Sequence, residues 1–171
     1  IQCCLVGSEM CIRDSITHGH IDHAGAAKEL ATKLNLNIIG PHIDDSFLLE
    51  SLEIQGQMYG MNAQNFIPDK WLKHEDSISF GNQTLEIKHC PGHAPGHVIG
   101  INHKAKKIIA GDVLFNGSIG RTDLPKGNYQ DLIDSINHHL LTLDDTYIVH
   151  CGHGPDTSIG HERKTNPFLN A

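Results

Sequence analysis

Aromatic side chains are scarce in this chain, 5% of 171 residues with a single Trp. Long apolar runs are missing too. Nothing approaches the roughly 20 residues that a helical bilayer span needs, so a membrane-spanning helical protein is excluded. There is no basic excess: 13 Lys and Arg stand against 20 Asp and Glu, a formal net charge of −7. Without a basic stripe, nucleic acid is excluded as the main partner. The five cysteines form no C-x-x-C pair, and their odd number suits neither a disulfide framework nor a thiolate zinc finger. A reducing cytoplasm is the expected compartment. The N-terminus has no basic n-region and no long apolar core, so it does not read as a secretory signal.

Histidine is abundant. There are 14 in the chain, many of them clustered, in a background of 39% hydrophobic and 19% charged residues that is ordinary for a globular domain. The length suits one domain, and no repeat, linker or low-complexity tract divides it. Residues 1–15 (IQCCLVGSEMCIRDS) read differently from the rest, with three of the five cysteines and no visible period. They read as a truncated or foreign leader, with a short strand at Cys3–Val6 as the alternative. Residues 16–171 form the expected domain.

In that domain, Ala24–Leu34 has helical spacing, with Asp22 just ahead of it. Asn37–Gly40 reads as a strand, Asp44–Met58 as a helix and Met58–Lys70 as a loop. Ser77–Phe80 and Gln83–Lys88 flank Gly81-Asn82, a two-residue hairpin signal. His97–Asn102 and Lys107–Ala110 form a second strand pair. Gly111–Lys126 reads as irregular, Tyr129–Leu143 as an amphipathic helix, Thr146–Cys151 as a strand and Ser158–Thr165 as a short helix. Mixed order with hairpins predicts a layered α/β fold with a mixed sheet.

Four elements carry chemistry. His18-Gly19-His20-Ile21-Asp22-His23 packs three imidazoles and a carboxylate into six residues. An H-x-H-x-D-H pattern arises by chance roughly 0.007 times in a chain of this composition. Imidazole and carboxylate suit a borderline cation such as zinc. His18 and His20, two apart, share one side of an extended segment, while Asp22 and His23 turn onto a helix start. Pro91-Gly92-His93-Ala94-Pro95-Gly96-His97 is a rigid loop after a strand, and its spacing leaves His93 and His97 both open as ligands. Asp112 ends the IIAG strand. Cys151-Gly152-His153-Gly154-Pro155 places another His on a glycine loop past a strand.

These elements, in this order, resemble the metallo-β-lactamase superfamily from Thr17 to Phe168. THGHIDHAGAAKELA, HCPGHAPGHVIG, AGDVLF, GSIGRTDLPKG and CGHGPDTSIGHERKTNPFL are similar to short, glyoxalase II-like bacterial hydrolases. The resemblance implies an αββα sandwich and two divalent metal ions, zinc first, with iron or manganese as alternatives. His18, His20 and His93 would hold one ion; Asp22, His23 and His153 the other; Asp112 would bridge them. His97 would orient the loop or a ligand from outside. His42, His74, His89, His103, His138, His139, His150 and His161 carry no ligand assignment. Cys90 and Cys151 read as small buried residues, with an oxidation-sensitive thiol as the alternative.

The implied chemistry is hydrolysis of a thioester by a hydroxide generated between two cations, with Asp22 and Asp112 as the catalytic carboxylates. The implied substrate is a glutathione conjugate, S-(2-hydroxyacyl)glutathione such as lactoylglutathione. Arg121 is the candidate for a glutathione carboxylate, with Lys126 and Tyr129 behind it. The rivals are a one-iron persulfide dioxygenase of the same fold and an inactive truncated domain. The family's first strands precede the T-H-x-H motif, and about 50 residues of a domain near 200 are missing here. Losing even about 400 Å² of apolar burial removes about 10 kcal/mol at 25 cal/mol per Å². That is comparable with a whole domain's net stability, so the chain alone is expected to aggregate or hold metal weakly.

Overall fold

The computed structural model describes residues 13–170; the Cys3–Val6 reading lies outside them. The described chain starts inside the segment read as a leader. Arg13–Ser15 (β1) pairs in parallel with Asn37–Ile39 (β2), Arg13 opposite Asn37 and Ser15 opposite Ile39. A parallel pair needs a crossover, and the helical stretch between them provides it. That stretch is two helices where the sequence predicts one. Ile21–Ala24 (α1) and Ala27–Leu34 (α2) are separated at Gly25-Ala26. α2 ends at Asn35, in the left-handed region at φ 51°, where a short polar residue suits.

The second expected helix also divides. A 3₁₀ turn at Ile43–Asp45 leads into Ser46–Leu49 (α3) and Leu52–Tyr59 (α4). At the break the Ser51 hydroxyl donates to the Leu48 carbonyl at 3.0 Å, a local bond that competes with the helix ladder.

The main sheet has six strands: Ser77–Phe80 (β3), Gln83–His89 (β4), Val98–Asn102 (β5), Lys107–Gly111 (β6), Ile148–Cys151 (β9) and Thr157–Ser158 (β10). Their order is β10-β9-β6-β5-β4-β3, with β6 and β9 parallel and the other pairs antiparallel. Gly81-Asn82 makes the expected tight turn, with Phe80 opposite Gln83. Gly111–Lys126, expected to be irregular, contains a small hairpin, Leu114–Phe115 (β7) and Ser118–Ile119 (β8). The chain then forms Tyr129–His139 (α5), whose first turn is capped by the Asn128 side chain accepting from the Gln130 and Asp131 amides. Ile159–Thr165 (α6) closes the fold, capped by Ser158.

Period-two alternation sorts the sheet's side chains into two cores. Ile99, Ile101, Ile108, Ala110 and Val149 face α5 and α6, packing on Leu132, Ile136, Leu140 and Ile159. On the opposite face Ile78, Ile87 and Val98 meet Ile39 of β2 and Leu72. Beyond that layer, α1, α2 and α4 pack on Ile16 and Ile38. The layers therefore run α-β-β-α, as the resemblance implied. Between β1 and the sheet lies a groove of about 400 Å³ lined by Ile16, Leu85, Ile87, Val98 and Ile109. Among the described residues no helix is long and apolar enough to cross a membrane.

One contact fixes where the site's loop sits. Gly92 has φ +135°, and a Cβ there would meet the Cα, Cβ and N of Leu132 in α5 at 2.4 Å. The Gly92 carbonyl accepts from the Asn128 amide, and the Pro91 carbonyl accepts from the Ser135 hydroxyl at 2.9 Å. Gly92→Ala should therefore cost about 3 kcal/mol or more in urea unfolding. Asn128→Ala, which removes only a cap, should cost about 1 kcal/mol.

Candidate metal centre

The ligand-bearing segments meet along one end of the main sheet. His20, with φ −71° and ψ 150°, is still extended and stands just before α1, its side chain free of any capping bond. The motif is thus split as its spacing predicts: His18 and His20 on extended chain, Asp22 and His23 in the first helical turn. His93 comes from the β4–β5 loop, Asp112 follows β6, and His153 follows β9.

The donor atoms converge in two groups. One nitrogen each from His18, His20 and His93 lies within 4.8 Å of the others, and so do donors of Asp22, His23 and His153. His20 Nδ1 is 2.9 Å from His93 Nε2, and His23 Nε2 is 3.2 Å from His153 Nε2. His153 Nε2 is 3.1 Å from Asp22 Oδ2. Asp112 stands between the groups, Oδ1 3.3 Å from His23 Nε2 and Oδ2 3.6 Å from His93 Nε2. A tetrahedral ion with bonds of 2.0–2.1 Å has ligand–ligand edges of roughly 3.3 Å, close to these separations.

Two buried atoms point to a cation. His18 Nε2 and Asp112 Oδ1 are buried without a well-formed hydrogen bond, the nearest group to Oδ1 being His23 Nε2 at 3.3 Å. Leaving such atoms unsatisfied costs about 1–3 kcal/mol each, and a divalent cation satisfies both. Protonation states agree. Burial drives His18 well below its ordinary pKa. Burial, then neighbouring His93, lowers His20 to about 4. His93 is also lowered, chiefly by burial. Neutral imidazole is the ligating form. Burial pushes Asp112 upward, but the close His23 ring and then His93 and His153 outweigh this and hold it below the usual carboxylate value.

A second set of contacts aims these ligands. His93 Nδ1 donates to the Arg121 carbonyl at 2.8 Å, leaving Nε2 with the lone pair. His97 joins neither ligand group. Its ring stacks on His18 at 4.6 Å, and its Nε2 accepts from the Asp112 amide at 3.0 Å. Gly152 is obligatory for space, since a Cβ there would lie 2.1 Å from Asp112 Oδ1.

Asp45 is the residue that the sequence pattern hides. It is fully buried, and its carboxylate accepts from the Gly19 amide at 2.8 Å and the Gly96 amide at 2.6 Å. It ties the His18–His23 segment to the His93–His97 loop. Burial raises its pKa to about 6, against the pull of those two amides. Its signal in the sequence is an Asp pair at a helix start, which most often means a cap.

All seven expected ligands come together; the expected substrate contacts do not join them. The Arg121 guanidinium is 62% exposed and pairs with Asp123 through Nε and Nη2, each at 2.7 Å. Lys126 Nζ sits 3.8 Å over the Phe47 ring. Tyr129 is half-exposed at the start of α5. Burial drives the Cys90 thiol well up and Cys151 to about 11, which suits small packed residues.

The metallo-beta-lactamase superfamily model matches residues 16–153. The chain belongs to that superfamily and is a metallo-hydrolase. It is 48% identical over 158 residues to hydroxyacylglutathione hydrolase GloC of Haemophilus influenzae, covering 91% of this chain and 74% of the relative. Among solved structures, BLEG-1 B3 metallo-beta-lactamase superposes with TM-score 0.83 and 36% identity, over 93% of this chain and 77% of that one. TTHA1623 in a di-iron-bound form gives TM-score 0.83 and 36% identity, over 92% and 77%.

Asp45→Asn puts an amide NH₂ against one of two buried backbone donors. It should lower stability by about 1–3 kcal/mol in urea unfolding and speed metal loss to a chelator. An unchanged chelation rate would mean that Asp45 does not brace the centre.

Proposed function

We propose that the chain hydrolyses thioesters, S-(2-hydroxyacyl)glutathione such as lactoylglutathione first among them. The observation that carries this reading is the Asp112 carboxylate, with one oxygen facing His23 and the other facing His93. Two complete donor groups that share a carboxylate suit two divalent cations, zinc first, with iron or manganese compatible with the same donors. The naming of the GloC relative supports the substrate class. Divalent cations lower the pKa of water toward neutrality and polarise a carbonyl oxygen.

The chain's own groups do the rest. Asp22 is half-exposed, faces His153 and can accept a proton from water and orient it. A thiolate is already a weak base, so no general acid is required for its departure. Asp123 occupies the Nε and Nη2 edge of Arg121. The guanidinium has five N–H donors, so its Nη1 edge stays available to a substrate carboxylate.

Protein extended at its N-terminus to the length of its relatives, 74% of which this chain covers, should hold two metal ions per chain, and His153→Ala, at the more exposed group, should lose one of them. Metal analysis of protein purified without chelator checks both, and finding none overturns the two-metal reading. Lactoylglutathione should be cleaved, and Asp112→Ala should reduce cleavage to background. Oxygen uptake with glutathione persulfide while thioesters survive would favour the dioxygenase. Arg121→Ala should raise KM with little change in kcat, the signature of a grip equal in ground and transition states. An unchanged KM removes Arg121 from the site.

A further inference from the structure

Two histidines without a ligand assignment meet on the outer side of the metal-centre loop. His42 precedes the 3₁₀ turn, and His89 is the last residue of β4. Their rings stack at 4.1 Å with 26° between planes. A ring nitrogen of each and a carboxylate oxygen of Asp44 all lie within 4.8 Å of one another. Asp44 Oδ2 is 3.1 Å from His42 Nδ1. None of these residues belongs to the donor groups of the centre.

The cluster has the supports that metal-binding histidines use. His89 Nε2 donates to the Pro95 carbonyl at 2.8 Å, which fixes the tautomer and leaves the lone pair on Nδ1. His42 is anchored by its backbone amide, which donates to the Gly96 carbonyl at 2.9 Å. The Asp44 side chain is half-exposed and that of His42 is 22% exposed, so an ion can enter from solvent. Two imidazoles and a carboxylate are a nitrogen-and-oxygen set that suits zinc, with solvent completing a tetrahedron. The nearby His74 and His139 rings lie 5.0 Å apart and form no three-donor group with a carboxylate.

We propose that His42, Asp44 and His89 form a further zinc site, separate from the hydrolytic centre. Both anchoring bonds end on Pro95 and Gly96, in the loop that carries His93 and His97. An ion there therefore braces the centre from behind while taking no part in the chemistry. The site is independent of which thioester the centre cleaves.

The test uses the full chain with its centre already saturated with zinc. Zinc is added in excess, free metal is removed by gel filtration, and bound metal is counted. One equivalent beyond the centre's content is expected. Asp44→Asn, which alters a half-exposed side chain, and His89→Ala should each lose that equivalent, with apparent zinc affinity at least about tenfold weaker. His139→Ala should keep it. Excess zinc should also raise the thermal midpoint of the wild type but not of Asp44→Asn, because an ion that binds only the folded state stabilises it. No extra equivalent in the wild type overturns the proposal. So does an extra equivalent that persists in both Asp44→Asn and His89→Ala, which would mark adventitious surface binding.

Discussion

The structure is organised around burying the His18, His93 and His97 imidazoles and the Asp45 and Asp112 carboxylates at the end of one sheet. Desolvation is the dominant influence on these groups, and it disfavours every charged state among them. The His18 and His93 rings stay neutral for that reason, with lone pairs aimed inward. The neutral His20 and His93 rings, crowded at 2.9 Å beside the orphaned His18 Nε2, are costly alone and favourable around a cation. The need to hold this arrangement accounts for much of the surrounding structure.

The holding is done mainly by backbone. The Arg121 carbonyl orients His93, the Asp112 amide is fixed by His97, and the Gly19 and Gly96 amides are fixed by Asp45. Helix α5 sits so close to Gly92 that the loop has one available position against it. Rigid positioning of this kind keeps ligand geometry within the narrow tolerance that metal sites demand. It also assigns Arg121 a role through its main chain that is independent of its guanidinium.

The donor clusters were legible in the sequence because metal chemistry demands particular residue types at short spacing. His18 to His23 and the His93 loop carry that demand within a few residues. The sheet was legible through its hairpin turn and period-two strands, and the ends of β3 through β6 moved by one residue at most. Helices were less so. α1 and α2 merge in the sequence because a Gly25 packed against the Ile21 carbonyl is invisible to periodicity. Asp45 was hidden because its partners are backbone amides from segments 26 and 51 residues away. The pairing of His42 with His89 was hidden for the same reason, since it depends on where β4 ends relative to a distant turn.

The donors come from His18 at one extreme to His153 at the other, on segments that belong to different layers of the sandwich. A cation held by Asp22, His23 and His153 would therefore be a cross-link as well as a reagent. It closes a loop that spans most of the chain, and in the chain-entropy view closing about 100 residues is worth about 4.7 kcal/mol. In that respect the centre does for this fold what disulfides do for secreted domains. With such a cross-link, metal supply would set how much of the chain is folded as well as how much of it is active.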